Sequence, residues 1–169
     1  MLIPADTLFT IGFTQLPPGV GSLDPREGER ATAPFNGEPI SLRPPSAQET
    51  QVWKLVEDPN PDPGQESYTI VHVNPSSPNP GTEELGFCSL SNESGAPIIL
   101  ASPTCFVLKK TEYTTSGNTL IVTMHPKGLK SNNHYVTPSQ EGTLEVQEID
   151  VTTGQWPAWG ITPAGIPFS

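Results

Sequence analysis

The two cysteines and three histidines of this sequence, Cys88, Cys105, His72, His125 and His134, are the first candidates for nucleophilic, proton-transfer or soft-metal chemistry. Their spacing contains no His-x-x-x-His and no Cys-x-x-Cys, and the acidic residues build no calcium-type loop. No metal and no cofactor is therefore expected. A cysteine nucleophile needs a lowered pKa and a histidine base within reach. Both cysteines lie in apolar runs, where burial raises the thiol pKa and quiets it. There is no Gly-x-Ser-x-Gly elbow and no glycine-rich phosphate cradle, and the acidic pair Glu83–Glu84 reads as a solvated loop. The chain is expected to catalyse nothing and to work by binding.

Charge narrows the choice of partner. The net charge is −10, and the eight Lys and Arg residues are scattered apart from Lys109–Lys110. Phosphate backbones require a basic stripe, so nucleic acid is not an expected partner. No apolar run is long enough to span a bilayer, which argues against a membrane role. Residues 1–10 lack a basic region followed by a long apolar stretch, so a cytoplasmic location is the expectation. In that compartment Cys88 and Cys105 are expected to be reduced.

Proline and glycine make up more than a fifth of the 169 residues, and they fall between runs rich in Ile, Val, Leu, Phe and Trp. That pattern excludes long helices and predicts short strands joined by turns. Three runs begin alike: Phe9-Thr-Ile-Gly-Phe13, Tyr68-Thr-Ile-Val-His-Val73 and Leu120-Ile-Val-Thr-Met124. Each is followed by three shorter strand candidates: 30–33, 39–42 and 52–55; 86–90, 97–100 and 105–108; 134–137, 143–146 and 158–161. From the first residue of each set to its closing aromatic there are 44 residues (Phe9 to Trp53), 38 (Tyr68 to Phe106) and 39 (Leu120 to Trp159). Three four-strand units cannot each bury an apolar face alone, so they must close on one core. The expected fold is a β-trefoil: twelve strands in three repeats (about 7–57, 67–110 and 118–164), forming a six-stranded barrel with a hairpin cap. The whole chain, 1–169, reads as one domain.

At the closing strands the sequence resembles the mycocypins, fungal β-trefoil inhibitors of cysteine proteases, and macrocypins more than clitocypins. The resemblance rests on the Tyr68-Thr-Ile run, on Thr104-Cys105 leading into an aliphatic strand, and on Trp-Pro-Ala-Trp-Gly-Ile at 156–161. The acidic charge and the chain length agree with it. It implies a monomer that occludes papain-like cysteine proteases reversibly through two loops. Those loops correspond to Pro17, Pro18, Gly19, Val20, Gly21 and Ser22, and to Pro44, Pro45, Ser46 and Ala47. Glycine lets backbone approach a catalytic groove closely, and proline limits the entropy lost on docking. A third loop would meet legumain-type proteases through Asn74 or Asn79. Here both precede proline, an arrangement that opposes cleavage.

Two other binding functions fit a trefoil. A trypsin-like protease inhibitor would present Arg26, Lys127 or Lys130 to an acidic specificity pocket. A ricin-type lectin would carry Gln-x-Trp in each repeat, and only Gln51-Val-Trp53 matches; the other two positions read Thr104-Cys-Phe106 and Pro157-Ala-Trp159.

Overall fold

The computed structural model describes residues 8–16, 26–46, 49–73, 84–91, 93–111, 119–128, 133–150 and 156–164. They form twelve strands and no α-helix: β1 (Leu8–Leu16), β2 (Arg30–Thr32), β3 (Ser41–Arg43), β4 (Trp53–Glu57), β5 (Ser67–His72), β6 (Gly86–Ser89), β7 (Ile98–Ala101), β8 (Cys105–Lys110), β9 (Leu120–Pro126), β10 (His134–Pro138), β11 (Leu144–Glu148) and β12 (Trp156–Pro163). The protein is all-β, and every strand run expected from the sequence overlaps one of these strands. No helix among the described residues is long and apolar enough to cross a membrane.

Alternation of side chains explains the longer strands. In β1 the alternate residues Phe9, Ile11 and Phe13 are buried in the main core, and Gly12 and Thr14 face the other way. Trp53 and Leu55 in β4, and Trp159 and Ile161 in β12, follow the same rule.

Six strands pair antiparallel in a closed ring. β1 pairs with β12, β12 with β9, β9 with β8, β8 with β5, and β5 with β4. β4 then returns to β1 through Leu8–Lys54 and Phe9–Trp53. Closure leaves these six strands no open edge on which to aggregate. The other six form three hairpins, β2–β3, β6–β7 and β10–β11. The hairpins hold one another: the Ile40 amide donates to Ile98 O, Leu144 to Ile40 O and Val146 to Ala96 O, each at 2.9 Å. Ile40, Ile98 and Leu144 are fully buried at this meeting point.

Trp53, Phe106 and Trp159 close their respective four-strand sets, and all three are completely buried in one core cluster. The Trp53 indole N–H donates to Ala31 O at 3.0 Å, and that of Trp159 to Val136 O at 2.9 Å. Phe106 has no such donor. The carbonyl of Phe87, which lies beside it, instead accepts the Thr104 amide at 3.1 Å. The Phe87 ring fills the remaining space, edge-on to Trp53 at 4.8 Å and to Phe106 at 6.2 Å.

Close packing also dictates Gly86. A Cβ added there would collide with the Ile70 carbonyl oxygen and stand 3.0 Å from both Ile70 C and Val71 Cα. Those atoms belong to the paired strand β5 and cannot swing aside. Gly86→Ala is therefore expected to destabilise the protein by about 2 kcal/mol or more, the range for overpacking. A urea-unfolding midpoint equal to the parent's would show that β5 and β6 do not approach this closely.

The third opening run is longer than the expected Leu120–Met124: β9 continues through His125 and Pro126, which pair with Val107 and Phe106. His125 is buried under the Tyr135 ring at 4.5 Å, and Pro126, which has no amide N–H to offer, ends the ladder.

Candidate functional site

The first hairpin organises the two loops singled out in the sequence. Gly12, Arg30 and Arg43 lie abreast on β1, β2 and β3. The end of the β1–β2 connection, at Arg30, and the start of the β3–β4 connection, at Arg43, thus lie side by side. The β1–β2 connection is closed at its base by reciprocal backbone bonds: Phe13 N–H to Glu29 O and Gly28 N–H to Phe13 O, both 2.9 Å. A carboxylate oxygen of Glu27 accepts from the Thr14 hydroxyl at 3.1 Å and from the Gln15 amide at 3.4 Å. Gly28 has φ of 93°, which only glycine adopts readily. Pro17, Pro18, Gly19, Val20, Gly21 and Ser22 lie outside the described residues.

The β3–β4 connection is held by one buried side chain. Pro44, Pro45 and Ser46 are exposed; Ala47 lies outside the described residues. Gln51, in the short 3-10 turn Glu49–Gln51, is only 2% exposed. Its Oε1 accepts the Ser46 amide at 2.9 Å, and its Nε2 donates to Pro44 O at 3.0 Å and to Thr32 Oγ1 at 3.2 Å. The Ala33 amide adds a bond to Thr50 O at 2.8 Å. A buried amide with all these partners locks the loop, since breaking any bond would strand a polar group. Gln51 and Trp53 are therefore spent on the chain's own backbone, and neither offers its polar group to a sugar.

Two of the candidate trypsin-directed cations are engaged within the chain. The Arg26 guanidinium donates to the Ser139 carbonyl. Lys127 forms a close ion pair with the Asp58 carboxylate and also donates to Asn60 O at 2.6 Å. Lys130, Asn74 and Asn79 lie outside the described residues.

Sequence reasoning missed the Asp58 centre. Asp58 lies in what reads as a polar loop, yet its side chain is only 5% exposed. One carboxylate oxygen accepts the Asn60 amide at 2.9 Å, and the other accepts the Ser67 hydroxyl at 2.7 Å. The Lys127 bond, then the Asn60 and Ser67 bonds, hold its pKa down at about 2, and Asp58 in turn raises that of Lys127. The one local signal was Asp58-Pro-Asn60, in which an aspartate caps the amide two residues on. Lys127 also lines a cleft of about 470 Å³ with Cys105, Asp62 and the exposed Leu90.

Cys88 and Cys105 are free thiols on β6 and β8. Burial pushes both pKa values up, and the charge of Asp58 adds to the effect at Cys105. Protonated thiols are poor nucleophiles near neutral pH. His125 is locked as well, between Thr123 Oγ1 and the His134 carbonyl, both at 2.8 Å. Among the described residues no three of His, Cys, Asp and Glu come together as metal ligands.

Compared with known protein families and with curated proteins, the chain matches none.

Proposed function

We propose that this chain is a β-trefoil inhibitor of papain-like cysteine proteases, acting as a monomer through the loops that follow β1 and β3. The closed ring of six strands and the three interlocked hairpins support the trefoil assignment. So do the buried aromatics that end each set. The resemblance to mycocypins supports the target class. The observation that carries the functional reading is the Gln51 clamp on exposed Pro44–Ser46, beside the closed neck of the β1–β2 loop. A projecting backbone fixed in advance loses little entropy when it enters a cleft. Inhibition is by occlusion: the loops wedge into the groove and form no covalent bond with the nucleophile.

A trypsin-directed mechanism through Arg26 or Lys127 would have to free them from partners they already hold. Asparagines 74 and 79 precede proline, so a legumain-type enzyme could be blocked there without turnover.

An inhibition panel with papain, legumain and trypsin tests the proposal. Papain is expected to be inhibited reversibly, with the inhibitor recovered uncut. Gly19→Glu or Gly21→Glu should weaken that inhibition by roughly 2 kcal/mol, about thirtyfold, as for loss of a central contact. Lys130→Ala should stay within about tenfold of the parent. Inhibition of trypsin but not papain would replace the proposal with the serine-protease reading. Retention on a galactose column with no protease inhibited would replace it with the lectin reading.

A further inference from the structure

The first hairpin carries a charge arrangement that its fold does not require. In each hairpin one cross-strand pair is buried: Ala31–Leu42, Phe87–Leu100 and Val136–Val146. The next pair outward is Gly86–Ala101 in the second hairpin and Tyr135–Gln147 in the third. In the first it is Arg30–Arg43. Directly opposed residues of an antiparallel pair project to the same side with Cβ atoms about 5 Å apart, and like charges placed so repel. The chain has eight Lys and Arg residues against eighteen Asp and Glu, yet two of the eight stand here. Neither guanidinium has a hydrogen-bond or ion-pair partner among the described residues, although Arg30 is half-buried.

The row continues past Arg30 onto two glycines, the second of them overlain by the Thr119 methyl group. Arg30 is paired with Gly12, and Gly12 with Gly160 of β12. The two glycines floor a groove of about 240 Å³ whose walls include Arg30, Pro45, Thr119 and Thr162. Pro45 belongs to the clamped β3–β4 loop. The groove therefore runs from the loop past the open face of Gly12 to the Thr119 side chain over Gly160, with the Arg30 cation at its side.

We infer that Arg30 and Arg43 form an anion-reading subsite for a carboxylate side chain on the rim of the inhibited protease's cleft. This rests on the proposed inhibitory function. A protease seated on the loops after β1 and β3 must cover the two arginines, because the β1–β2 connection returns into the sheet at Arg30 and the β3–β4 connection leaves it at Arg43. A guanidinium takes a carboxylate by two parallel N–H···O bonds. One anion between two arginines turns their repulsion into attraction, so the free inhibitor holds a contact that is completed only in the complex. The open face of Gly12 leaves room for the partner's backbone beside its carboxylate.

The test uses the full-length chain against papain and an acidic papain-like cathepsin, whichever the parent binds more tightly. The variants are the double substitutions Arg30→Gln with Arg43→Gln, and Arg30→Lys with Arg43→Lys. The glutamine pair is expected to weaken inhibition by about thirtyfold to a hundredfold and to flatten its salt dependence. Its thermal midpoint should equal the parent's or exceed it, because a repulsive pair has been removed. The lysine pair should recover part of the affinity. Inhibition by the glutamine pair within threefold of the parent overturns the subsite and leaves the inhibitory function standing. A loss of inhibition matched by a fall in thermal midpoint also overturns it, since the arginines would then be structural. If the parent inhibits neither protease, the functional proposal itself has failed, and the two failures are thereby told apart.

Discussion

Replacing Trp159 by alanine is expected to remove about 4 kcal/mol of stability, a large part of the whole for a domain of this size. The ring is completely buried and packs against Phe13 at 5.5 Å. Its indole N–H is the bond that satisfies Val136 O, at 2.9 Å. Two effects therefore add: a cavity in a closed barrel that cannot collapse freely, and a carbonyl stranded without a donor. Trp159→Phe separates them. Most of the ring volume is kept while the donor is lost, and the expected cost is about 2 kcal/mol, mainly from the orphaned carbonyl. Trp53→Phe should behave alike, because Ala31 O would lose the same kind of bond. Phe106 is the internal control. The neighbouring Phe87 O takes its hydrogen from Thr104, so Phe106→Leu should cost only about 1 kcal/mol. Urea unfolding of the three conservative variants measures this directly. If both Trp→Phe variants are as mild as Phe106→Leu, the indole bonds contribute nothing and the tryptophans matter only as volume.

Acid is expected to weaken the fold in two separate steps. The first belongs to His125. Burial, opposed by its bond to the His134 carbonyl and helped by Lys109, lowers its pKa from the usual 6.5 to about 4. A histidine held neutral in the fold binds fewer protons than it does in the unfolded chain at any pH between those values. Stability thus rises with pH across that window: it is fully present above about 6.5 and is lost as pH falls toward 4, by about 3 kcal/mol in all. The second step belongs to Asp58, whose pKa of about 2 lies below its usual 3.8. Its contribution is intact above about 4 and disappears as pH falls to about 2, when the Lys127 pair is discharged. Unfolding by urea at pH 7, 5, 4 and 2.5 should resolve both. His125→Gln should flatten the profile between pH 6.5 and 4 while leaving the lower step in place. A parent profile already flat between pH 7 and 4 would mean that His125 titrates normally and is not locked as its two bonds imply.

The sequence by itself determined the strands. Alternating apolar residues such as Phe9, Ile11 and Phe13, punctuated by proline and glycine, leave a segment one way to bury its apolar side, and that information is local. That Trp53, Phe106 and Trp159 would share one core was equally legible, because each is a large aromatic in a strand run with an apolar side to bury. So was the freedom of Cys88 and Cys105 from each other, and the position of Pro44–Ser46 on an exposed loop.

What only the tertiary structure decided was which polar groups would find each other. Asp58 and Lys127 are 69 residues apart, and Arg26 and the Ser139 carbonyl 113 apart. Polar residues carry no periodic signal that announces a distant partner, so each reads as plain surface charge. Gln51 looked like a fragment of a sugar-binding motif and became the clamp on its own loop, because the chain folds Thr32 and Pro44 onto it. Arg30 and Arg43 are thirteen positions apart in sequence and directly opposed in register. Pairing register depends on where a hairpin turns, and it was this register that set two cations beside each other at the roots of the loops.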